Sequence, residues 1–310
     1  MKYDVCVFGG CSLDQTYYAD KDGNYKEKPD VIAPGGKGSN QAVAAARAGA
    51  RTTIITRLGN DEIGQKICEN LKNNNIDISN VELIDNLNND SANIYVNEID
   101  KDNKIKRITG AIDSFTEDMI EKYKDILLSS KIVVAQMKIP KEVSIKLINF
   151  CYKNNIPIII TPCRPKKLAI SEKSNKELID KITYITCNSD ECIAMFGSAD
   201  FEKIVEQYPN KLIITLGESG LMYHNGEKVV YLPAPQKDVV VDTTGAGDTF
   251  AGNFATFIAQ GYQFEDAVFK AQYASGLKIM KESAQEGMPY IDELNNYIKN
   301  DLKNKINTFK

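Results

Sequence analysis

Apolar segments of strand length alternate with longer segments whose apolar residues recur at helical spacing, and this alternation is regular in the second half of the chain. Strands joined by helices run parallel, and a parallel sheet needs helices on both faces to bury its apolar side chains. The sequence therefore predicts an α/β fold with three α/β/α layers around a mostly parallel central sheet. The predicted strands are 3–9, 52–57, 131–137, 157–161, 183–187 and 211–216, and the predicted helices are 37–48, 61–73, 116–128, 141–153, 175–181, 188–196, 246–260, 264–281 and 290–306.

Two segments in the first third of the chain do not fit a parallel sheet, because each is predicted to form a β-hairpin. Residues 15–34 surround an Asp22-Gly23 turn. Residues 92–110 carry strand-forming residues on both sides of a polar turn at Lys101–Lys104. Together the hairpins predict a small β-sheet beside the main one.

This small sheet is expected to project from the main sheet as a lid formed by approximately 13–34 and 92–111. No linker or internal repeat divides the sequence, so we expect a single domain over residues 1–310. Exposed strand edges need to be covered, and pairing of two lids in a homodimer would cover them.

Charge and composition argue against several functional classes. The chain carries 38 Lys and Arg against 42 Asp and Glu, a net charge of −4, so bulk charge attracts neither nucleic acid nor an anionic membrane. No apolar run approaches the roughly 20 residues of a membrane span. The sequence enters its first strand without a signal-peptide pattern, and its seven scattered cysteines form no C-x-x-C pair. We therefore expect a cytoplasmic protein with reduced thiols.

The single histidine, His224, limits the chemistry that the chain can perform. A metal site with two histidines is impossible, and the turn around His224 is a poor place for a Ser-His-Asp triad. Proton transfer must therefore depend on a carboxylate or another group that is not histidine.

The segment from Asp242 to Phe250, D-T-T-G-A-G-D-T-F, joins a glycine-rich turn to the start of a predicted helix. The glycines let the backbone turn tightly and approach a ligand. The helix N-terminus has free N–H donors and a partial positive charge, both of which suit an anion. Asp248 lies in the first helical turn, where its carboxylate could take a proton from a hydroxyl group. The structural alternative is that Asp248 only caps the helix.

A second glycine-rich segment, G-G-K-G-S-N-Q-A over residues 35–42, also opens a predicted helix. Two such helix starts, one early and one late, are unusual in a chain without a ligand to bind. The early segment is not a P-loop, because Gly36 and Lys37 are followed by Gly38 in place of Ser or Thr. A phosphate group would therefore be bound by the turn at Gly245–Gly247.

The late segment resembles the D-T-x-G-A-G-D signature of the ribokinase-like (PfkB) family of sugar and nucleoside kinases, and the early segment resembles its G-G-K-G-x-N-x-A signature. The order of the intervening segments is similar as well, so the resemblance covers residues 3 to 295 approximately. It implies a ribokinase-like fold with a β-lid. It also implies an enzyme that uses ATP and Mg²⁺ to phosphorylate a hydroxyl group of a small sugar or sugar derivative.

The same resemblance implies roles for individual residues. Asp248 would be the general base, and the N–H groups of Gly245, Ala246 and Gly247 would form an anion hole for the phosphoryl group. The structural alternative for Lys37 is an exposed lysine at the start of a helix. For Asp14, which closes strand 3–9, the alternative is a solvent-facing acid. The implied sugar-binding residues are Asp14, Gly35, Gly36, Lys37 and Asn40.

On the nucleotide side, Asn188 and Glu191 match the family's N-x-x-E motif, which orders water around a phosphate-bound Mg²⁺. This cation prefers oxygen ligands and usually keeps several waters. The same pair also matches an N-cap pattern, and the two roles are compatible. The adenine pocket would lie between residues 271–287 and a T-L-G-x-x-G loop whose nucleotide-binding residues are Thr215, Gly217 and Gly220.

Asp242 and the carbonyl group of Thr244 match a monovalent-cation site of the family, which would take K⁺. Ser283 and Gly287 fall where later ligands of that cation are expected. Gly287 has no hydroxyl group to offer, which argues against activation by potassium.

The acceptor side departs from the ribokinase pattern. Lys138 stands where ribokinases carry a glutamate, Ser12 stands where they often carry asparagine, and the run from Thr161 to Pro165 replaces N-P-x-P. A carboxylate accepts hydrogen bonds from sugar hydroxyls, whereas an ammonium only donates. One hypothesis is therefore an acceptor other than ribose, with Lys138 and Arg164 favouring an acidic or phosphorylated sugar. The alternative is that both residues are merely exposed.

The sequence leaves two other functions open. A nucleoside kinase of the same family would place lid aromatic residues, such as Tyr17, Tyr18 or Tyr95, against a base. A protein that only senses a sugar or nucleotide would bind without turnover, although the intact Asp248 segment argues against it.

Overall fold

The computed structural model describes residues 1–20, 24–97, 102–163, 173–235 and 239–308. The predicted Asp22-Gly23 turn, the first residue of the turn at Lys101–Lys104, and Arg164 lie outside these ranges. No helix in the described ranges combines the length and the apolar character needed to cross a membrane.

The described elements follow one another in the order that the alternation predicts. The strands are β1 (Tyr3–Phe8), β2 (Ser12–Tyr18), β3 (Val31–Gly35), β4 (Thr52–Gly59), β5 (Val81–Ile84), β6 (Asp90–Asn97), β7 (Asp102–Ile108), β8 (Ser130–Gln136), β9 (Ile158–Thr161), β10 (Tyr184–Asn188), β11 (Leu212–Thr215), β12 (Leu221–His224) and β13 (Val229–Leu232). The helices are α1 (Lys37–Arg47), α2 (Glu62–Asn73), α3 (Asp118–Lys122), α4 (Lys124–Leu128), α5 (Lys141–Lys153), α6 (Lys173–Lys181), α7 (Ser189–Phe196), α8 (Phe201–Glu206), α9 (Ala246–Ala259), α10 (Phe264–Lys278) and α11 (Ile291–Thr308).

The large sheet has the strand order β13-β12-β11-β10-β9-β8-β1-β4-β5. From β11 to β5 all neighbours are parallel, and β12 and β13 add an antiparallel edge. Strand β1 lies between β4 and β8, with Val5 opposite both Thr52 and Ile132. The prediction of a mostly parallel central sheet is confirmed.

Alternate side chains of the central strands enter two separate cores. Val5 and Val7 pack with residues of α1, α9 and α10 on one face of the sheet. Cys6 and Phe8 pack with residues of α5, α6 and α7 on the other face. Because successive side chains of a strand point to opposite faces, helices cover both sides, and the three-layer prediction is confirmed.

A separate four-stranded sheet has the order β3-β2-β6-β7. Its outer pairs are antiparallel, β2 with β3 and β6 with β7, and its inner pair, β2 with β6, is parallel. Both predicted hairpins are therefore present as strand pairs. The small sheet follows β1 directly and leads into α1 through Gly36, so it lies beside the carboxyl ends of the large-sheet strands.

Some elements differ from the prediction. The single helix expected over 116–128 is two short helices, because the backbone leaves helical geometry at Tyr123 (φ −105°, ψ 17°). The hydroxyl group of Tyr123 donates to Glu82 on β5, 2.8 Å away, so a tertiary contact holds the break. Helix α10 also ends at Lys278, three residues before the predicted end.

Candidate active site

The polar residues that the sequence analysis selected gather at the carboxyl edge of the large sheet. Strands β1, β8, β9, β10 and β11 are adjacent and parallel, so their carboxyl ends meet there. In open parallel sheets, ligands bind outside this edge. The N-termini of α1 and α9, which the two glycine-rich segments open, face the same edge.

The turn before α9 depends on a glycine. Gly245 has φ 80°, and a Cβ atom there would lie 2.7 Å from the carbonyl oxygen of Ala284. Only glycine satisfies both conditions without strain. The N–H group of Ala246 already donates to the carbonyl of Thr243 at 3.2 Å, so that donor is engaged within the turn.

Asp248 is 5% exposed and lies between two amide side chains of α1. Asn40 Nδ2 donates to Oδ2, and Gln41 Nε2 donates to Oδ1, both at 2.9 Å. The ammonium of Lys37 lies 4.0 Å from Oδ1, and the Asp248 carboxylate raises the pKa of Lys37. The carboxylate is therefore oriented on both oxygens and stands beside a cation.

A network of amide side chains behind Asp248 was missed by the sequence analysis. Gln136, at the end of β8, donates to Gln41 Oε1 at 2.8 Å. Gln285 donates to Asn40 Oδ1 at 2.9 Å and accepts from Asn70 at 2.9 Å. These partners hold the two amides of α1 in the orientation that makes them donors to Asp248.

The acceptor-side residues lie where β1 passes into the small sheet. Gly36 has φ 89°, and a Cβ atom there would lie 2.5 Å from the backbone nitrogen of Ser12. A Cβ atom on Gly35 would lie 2.7 Å from Oδ2 of Asp14. Asp14 does not close the first strand, as the sequence suggested, but lies within β2 of the small sheet.

Lys138 is half-buried and acts on a carboxylate that the sequence analysis did not select. Burial raises the pKa of Asp90, and the ammonium of Lys138 opposes that shift. Asp90 begins β6 opposite Ser12 and accepts a hydrogen bond from the Ile112 N–H at 2.7 Å. Lys138 therefore lies within electrostatic range of an acidic side chain of the protein.

A cavity of about 780 Å³ opens beside the first turn of α9. Ala246 and Gly247 form one wall, and Gln272, Ser275 and Gly276 of α10 lie across from them. The rest of the lining includes the T-L-G-x-x-G loop through Thr215, Gly217 and Gly220. The volume suits a nucleotide-sized ligand, since drug-sized ligands occupy roughly 300–1,000 Å³.

Asn188 and Glu191 form a reciprocal capping box at the start of α7. Glu191 N donates to Asn188 Oδ1 at 2.7 Å, and Asn188 N donates to Glu191 Oε2 at 3.1 Å. Asn188 pairs with Thr215 across β10 and β11, and the Glu191 charge contributes to raising the pKa of Lys37. The pair is therefore near Thr215, which lines the cavity, and within electrostatic range of Lys37. Within the described ranges no group of three or more His, Cys, Asp or Glu residues could hold a metal ion.

Asp242 and Thr244 lie in the turn before α9, and Asp242 contacts a buried lysine. The Thr244 N–H donates to Asp242 Oδ1 at 2.8 Å. Lys278 Nζ donates to the Asp242 carbonyl at 2.7 Å and lies 3.7 Å from Oδ2. Nothing in the sequence pattern indicated this lysine, because Lys278 lies 36 residues further along the chain.

The sequence matches the model for pfkB family carbohydrate kinases over residues 2–291. A ribokinase from Lactococcus lactis subsp. lactis (strain IL1403) is 36% identical over 299 residues, which cover 94% of this chain and 95% of that protein. A ribokinase from Bacillus subtilis (strain 168) is 35% identical over 297 residues, covering 94% and 98%. The solved structure of Arabidopsis thaliana ribokinase, complexed with ribose and ATP, has a TM-score of 0.83 at 24% identity and covers 96% and 99%.

The three layers and the small mixed sheet place the protein in the ribokinase-like fold class. The chain belongs to the pfkB family of carbohydrate kinases. It is a sugar kinase, an enzyme that transfers a phosphoryl group to an alcohol oxygen. The hypothesis of a catalytically silent sensor is not supported by these relatives.

Proposed function

We propose that this sugar kinase transfers the γ-phosphoryl group of ATP to a hydroxyl group of ribose or a closely related neutral pentose, with Asp248 as the general base. The observation that carries the proposal is the position of Asp248. It lies in the first turn of α9, oriented by Asn40 and Gln41, and next to a cavity of nucleotide size.

The chemistry follows from this geometry. Asp248 takes the proton of the sugar hydroxyl as its oxygen attacks the γ-phosphorus, and the bond from that phosphorus to the bridging oxygen breaks to release ADP. The N–H groups of Gly245 and Gly247 would donate to the transferred group, and that of Ala246 would join them on leaving the Thr243 carbonyl. Lys37 adds a positive charge near the base and the acceptor.

Asn188 and Glu191 would hold Mg²⁺ through water, and the residues present fit that role. Their capping box uses Oε2 of Glu191, and a carboxylate has a second oxygen that can accept from ordered waters. Mg²⁺ keeps several waters and takes substrate phosphates as ligands, so a single carboxylate on the protein is sufficient. The bound ion would neutralise charge on the phosphates during transfer.

The acceptor side favours a neutral sugar over an acidic one. Lys138 is within electrostatic range of the buried Asp90 carboxyl group, so it has an acidic side chain of the protein near it. Asp14 and Asn40 supply hydrogen-bonding groups for sugar hydroxyls, and Gly35 and Gly36 let the backbone approach the sugar. The two ribokinases with 35–36% identity support ribose as the first acceptor to test.

Two of the aromatic residues that a nucleoside acceptor would use, Tyr17 and Tyr95, are already engaged with each other, whereas Tyr18 is 45% exposed. Tyr17 is buried and stacks on Tyr95 with ring centroids 5.0 Å apart, and Tyr25 meets the Tyr95 ring edge-on at 5.2 Å. Each of these three rings therefore already has an aromatic partner. We keep a nucleoside only as an outcome of the substrate test.

The small sheet would act as a lid that excludes water during transfer, so that ATP is not hydrolysed. Val31 and Ile32 on its edge strand β3 are exposed and apolar. Pairing of two such lids in a homodimer would cover these residues and the free strand edge.

The deciding experiment is ADP production with Mg-ATP against pentoses, hexoses, sugar acids, sugar phosphates and nucleosides, beside the Asp248→Asn variant. We expect the fastest turnover with ribose or a related pentose, and a loss of about 10²–10⁴ in kcat in the variant. ATP binding should be retained in the variant. Faster turnover of a nucleoside or a sugar acid would contradict the proposed acceptor, and an active Asp248→Asn variant would contradict the proposed base.

A further inference from the structure

Lys278 is the last residue of α10 and is 0% exposed. Burying a charged side chain is costly unless it is paired and hydrogen-bonded. Its ammonium donates to the carbonyl oxygen of Asp242 at 2.7 Å and lies 3.7 Å from the Asp242 carboxylate. The catalytic scheme proposed above does not use this lysine, so its burial needs another explanation.

The oxygens of Asp242 are already engaged by donors. The Thr244 N–H donates to Oδ1 at 2.8 Å, and the Ser283 N–H also bonds to the carboxylate. Burial raises the pKa of Asp242, but these bonds and the Lys278 ammonium outweigh it, so the net pKa is lowered. Asp242 is therefore an anion that the protein itself neutralises.

The end of α10 and the turn before α9 form one packed unit around this lysine. The N–H groups of Val241 and Asp242 approach the carbonyl of Ile279 at 2.8 and 3.2 Å. Ser275 Oγ donates to the carbonyl of Ala246 at 2.9 Å. Inside this unit, Lys278 binds Asp242, the first residue of the D-T-T-G-A-G-D segment, and so connects that segment to α10. The same segment contains the proposed anion hole and ends with the proposed base, Asp248.

These residues do not fit the monovalent cation that the family resemblance implies at Asp242 and Thr244. The Asp242 carbonyl and carboxylate, which would face such a cation, face the Lys278 ammonium. Gly287 offers no hydroxyl ligand, and a Cβ atom there would lie 2.4 Å from the carbonyl of Lys278, so the backbone packs closely at this point.

We propose that the Lys278 ammonium is a built-in replacement for a monovalent cation, which positions the phosphoryl-binding turn and makes the enzyme independent of K⁺. Lys278 is a positioning residue, since it acts through Asp242 and touches no reacting atom. The inference rests on the proposed function, because the turn matters only if it binds the transferred group.

The test compares ATP affinity, measured by calorimetry with the Tris salt of ATP, and ADP production with ribose. Both are measured in tetramethylammonium chloride and in KCl at equal ionic strength. For the native enzyme we expect both quantities to change by less than about twofold between the salts. An increase of about fivefold or more in ATP affinity or in turnover on adding K⁺ would overturn the proposal.

Two variants separate the charge from the packing. Lys278→Met keeps most of the volume without the charge, and we expect kcat to fall about tenfold or more in both salts. Lys278→Ala also opens space, so K⁺ or NH₄⁺ should restore part of its kcat and ATP affinity. The matched control is Lys281→Ala, which removes an exposed ammonium paired with Glu293 and should respond to neither salt.

The outcomes distinguish this inference from the proposed function. If the native enzyme turns over no sugar in either salt, the proposed function fails, but ATP affinity still tests the inference. A Lys278→Met variant that folds and keeps native kcat would contradict the positioning role. If Lys278→Ala does not fold, the native enzyme and Lys278→Met still decide the question.

Discussion

At the scale of single residues, Asp248 shows how one carboxylate is oriented by partners that are distant in sequence. Its two oxygens accept from side chains 208 and 207 positions earlier in the chain. Asn40 was expected from the family resemblance as a sugar ligand, and in the structure it bonds to Asp248. The same amide can exchange that bond for a sugar hydroxyl, which would couple acceptor binding to the orientation of the base.

Gln41 should be a positioning residue for Asp248, although no motif letter marks it. Its amide donates to Asp248 and to Thr161 and accepts from Gln136. Gln41→Met would remove the donor to Asp248 and leave the Gln136 amide unpaired, at a cost of about 1–3 kcal/mol. We expect kcat with the sugar acceptor to fall roughly 10- to 100-fold, with little change in the KM for ATP.

The control for this prediction is Gln260→Met, the same change at the exposed end of α9. Both variants would be compared by steady-state kinetics and by melting temperature. Unchanged kcat in a folded Gln41→Met protein would show that Asn40 alone orients the base.

The residues that could be predicted are those that lie within one local pattern. Asp248 and Gly245 were selected because the glycine turn and the acid are three residues apart and precede a helix. Gln136 and Lys278 could not be selected in this way, since their partners lie 95 and 36 positions away and an isolated Gln or Lys has no local signature. Their function depends on packing, which the sequence shows only indirectly.

At the scale of elements, the two helices that glycine-rich segments open are packed in backbone contact. A Cβ atom on Gly252 of α9 would lie 2.4 Å from the carbonyl of Gln41 and 2.9 Å from the backbone nitrogen of Ala45. The hydroxyl group of Thr256 also donates to the carbonyl of Ala45 at 3.2 Å. This close approach is what brings Asn40 and Gln41 of α1 to Asp248.

Gly252→Ala should therefore damage both stability and catalysis. The added methyl group has no space and must push α1 away from α9, which we expect to cost about 1–3 kcal/mol. Gly261→Ala is the matched control, since Gly261 follows the same helix at φ 89° with no atom within 4 Å of the added Cβ. It should lose about 1 kcal/mol of stability through backbone strain, with native kcat.

Melting temperature and kcat with the sugar acceptor would be measured for both proteins. If Gly252→Ala lost stability but kept native kcat, the helix contact would matter for folding alone.

The long periodic elements could be predicted, and the short ones could not. The strands of the parallel core and helices such as α1 and α9 carry enough repeats for their period to be visible. Strand β5 and helix α8 have four and six residues, too few to show a period, and both were missed. The break at Tyr123 was missed because a contact with Glu82 on another element holds it.

At the scale of the whole molecule, the sheet has a polar cluster at the edge opposite the site. Asp4 of β1 accepts from Arg51 Nε at 3.1 Å and lies 2.8 Å from Lys131 of β8. Hydrogen bonds from Arg51, together with the Lys131 ammonium, hold the pKa of Asp4 well below its usual range. This polar cluster therefore lies at the opposite end of the strands from the candidate active site.

The lowered pKa of Asp4 fixes the sign of a pH dependence. A carboxyl group with a depressed folded-state pKa stabilises the protein above its unfolded pKa of about 4, and this contribution is lost as the pH falls toward the folded value. Asp4→Asn should lower the free energy of unfolding by about 1 kcal/mol at pH 7, since the pair is partly exposed. In urea titrations the difference in free energy of unfolding between the native protein and Asp4→Asn should shrink below about pH 4. An equal difference at pH 7 and pH 3 would show that the variant loses packing and not a charge interaction.

The proposed homodimer is also a property of the whole molecule. Ile32 on the edge strand β3 is 43% exposed beside Val31, and a polar environment disfavours both side chains. If two lids pair through this strand, the native protein should elute with twice the mass of one chain, and Ile32→Glu should shift it toward the monomer. A charge on an edge strand opposes strand pairing with another molecule without disturbing the hydrogen bonds within its own sheet.

Light scattering after size exclusion measures the mass, and Tyr152→Glu, an equally drastic change at the exposed Tyr152 of α5, is the control that should leave it unchanged. Because an unpaired lid would close less firmly over the sugar, the monomeric variant should also show a raised KM for the acceptor with a native KM for ATP. A native protein that elutes as a monomer would contradict lid pairing, and a dimeric Ile32→Glu variant would place the contact on another surface.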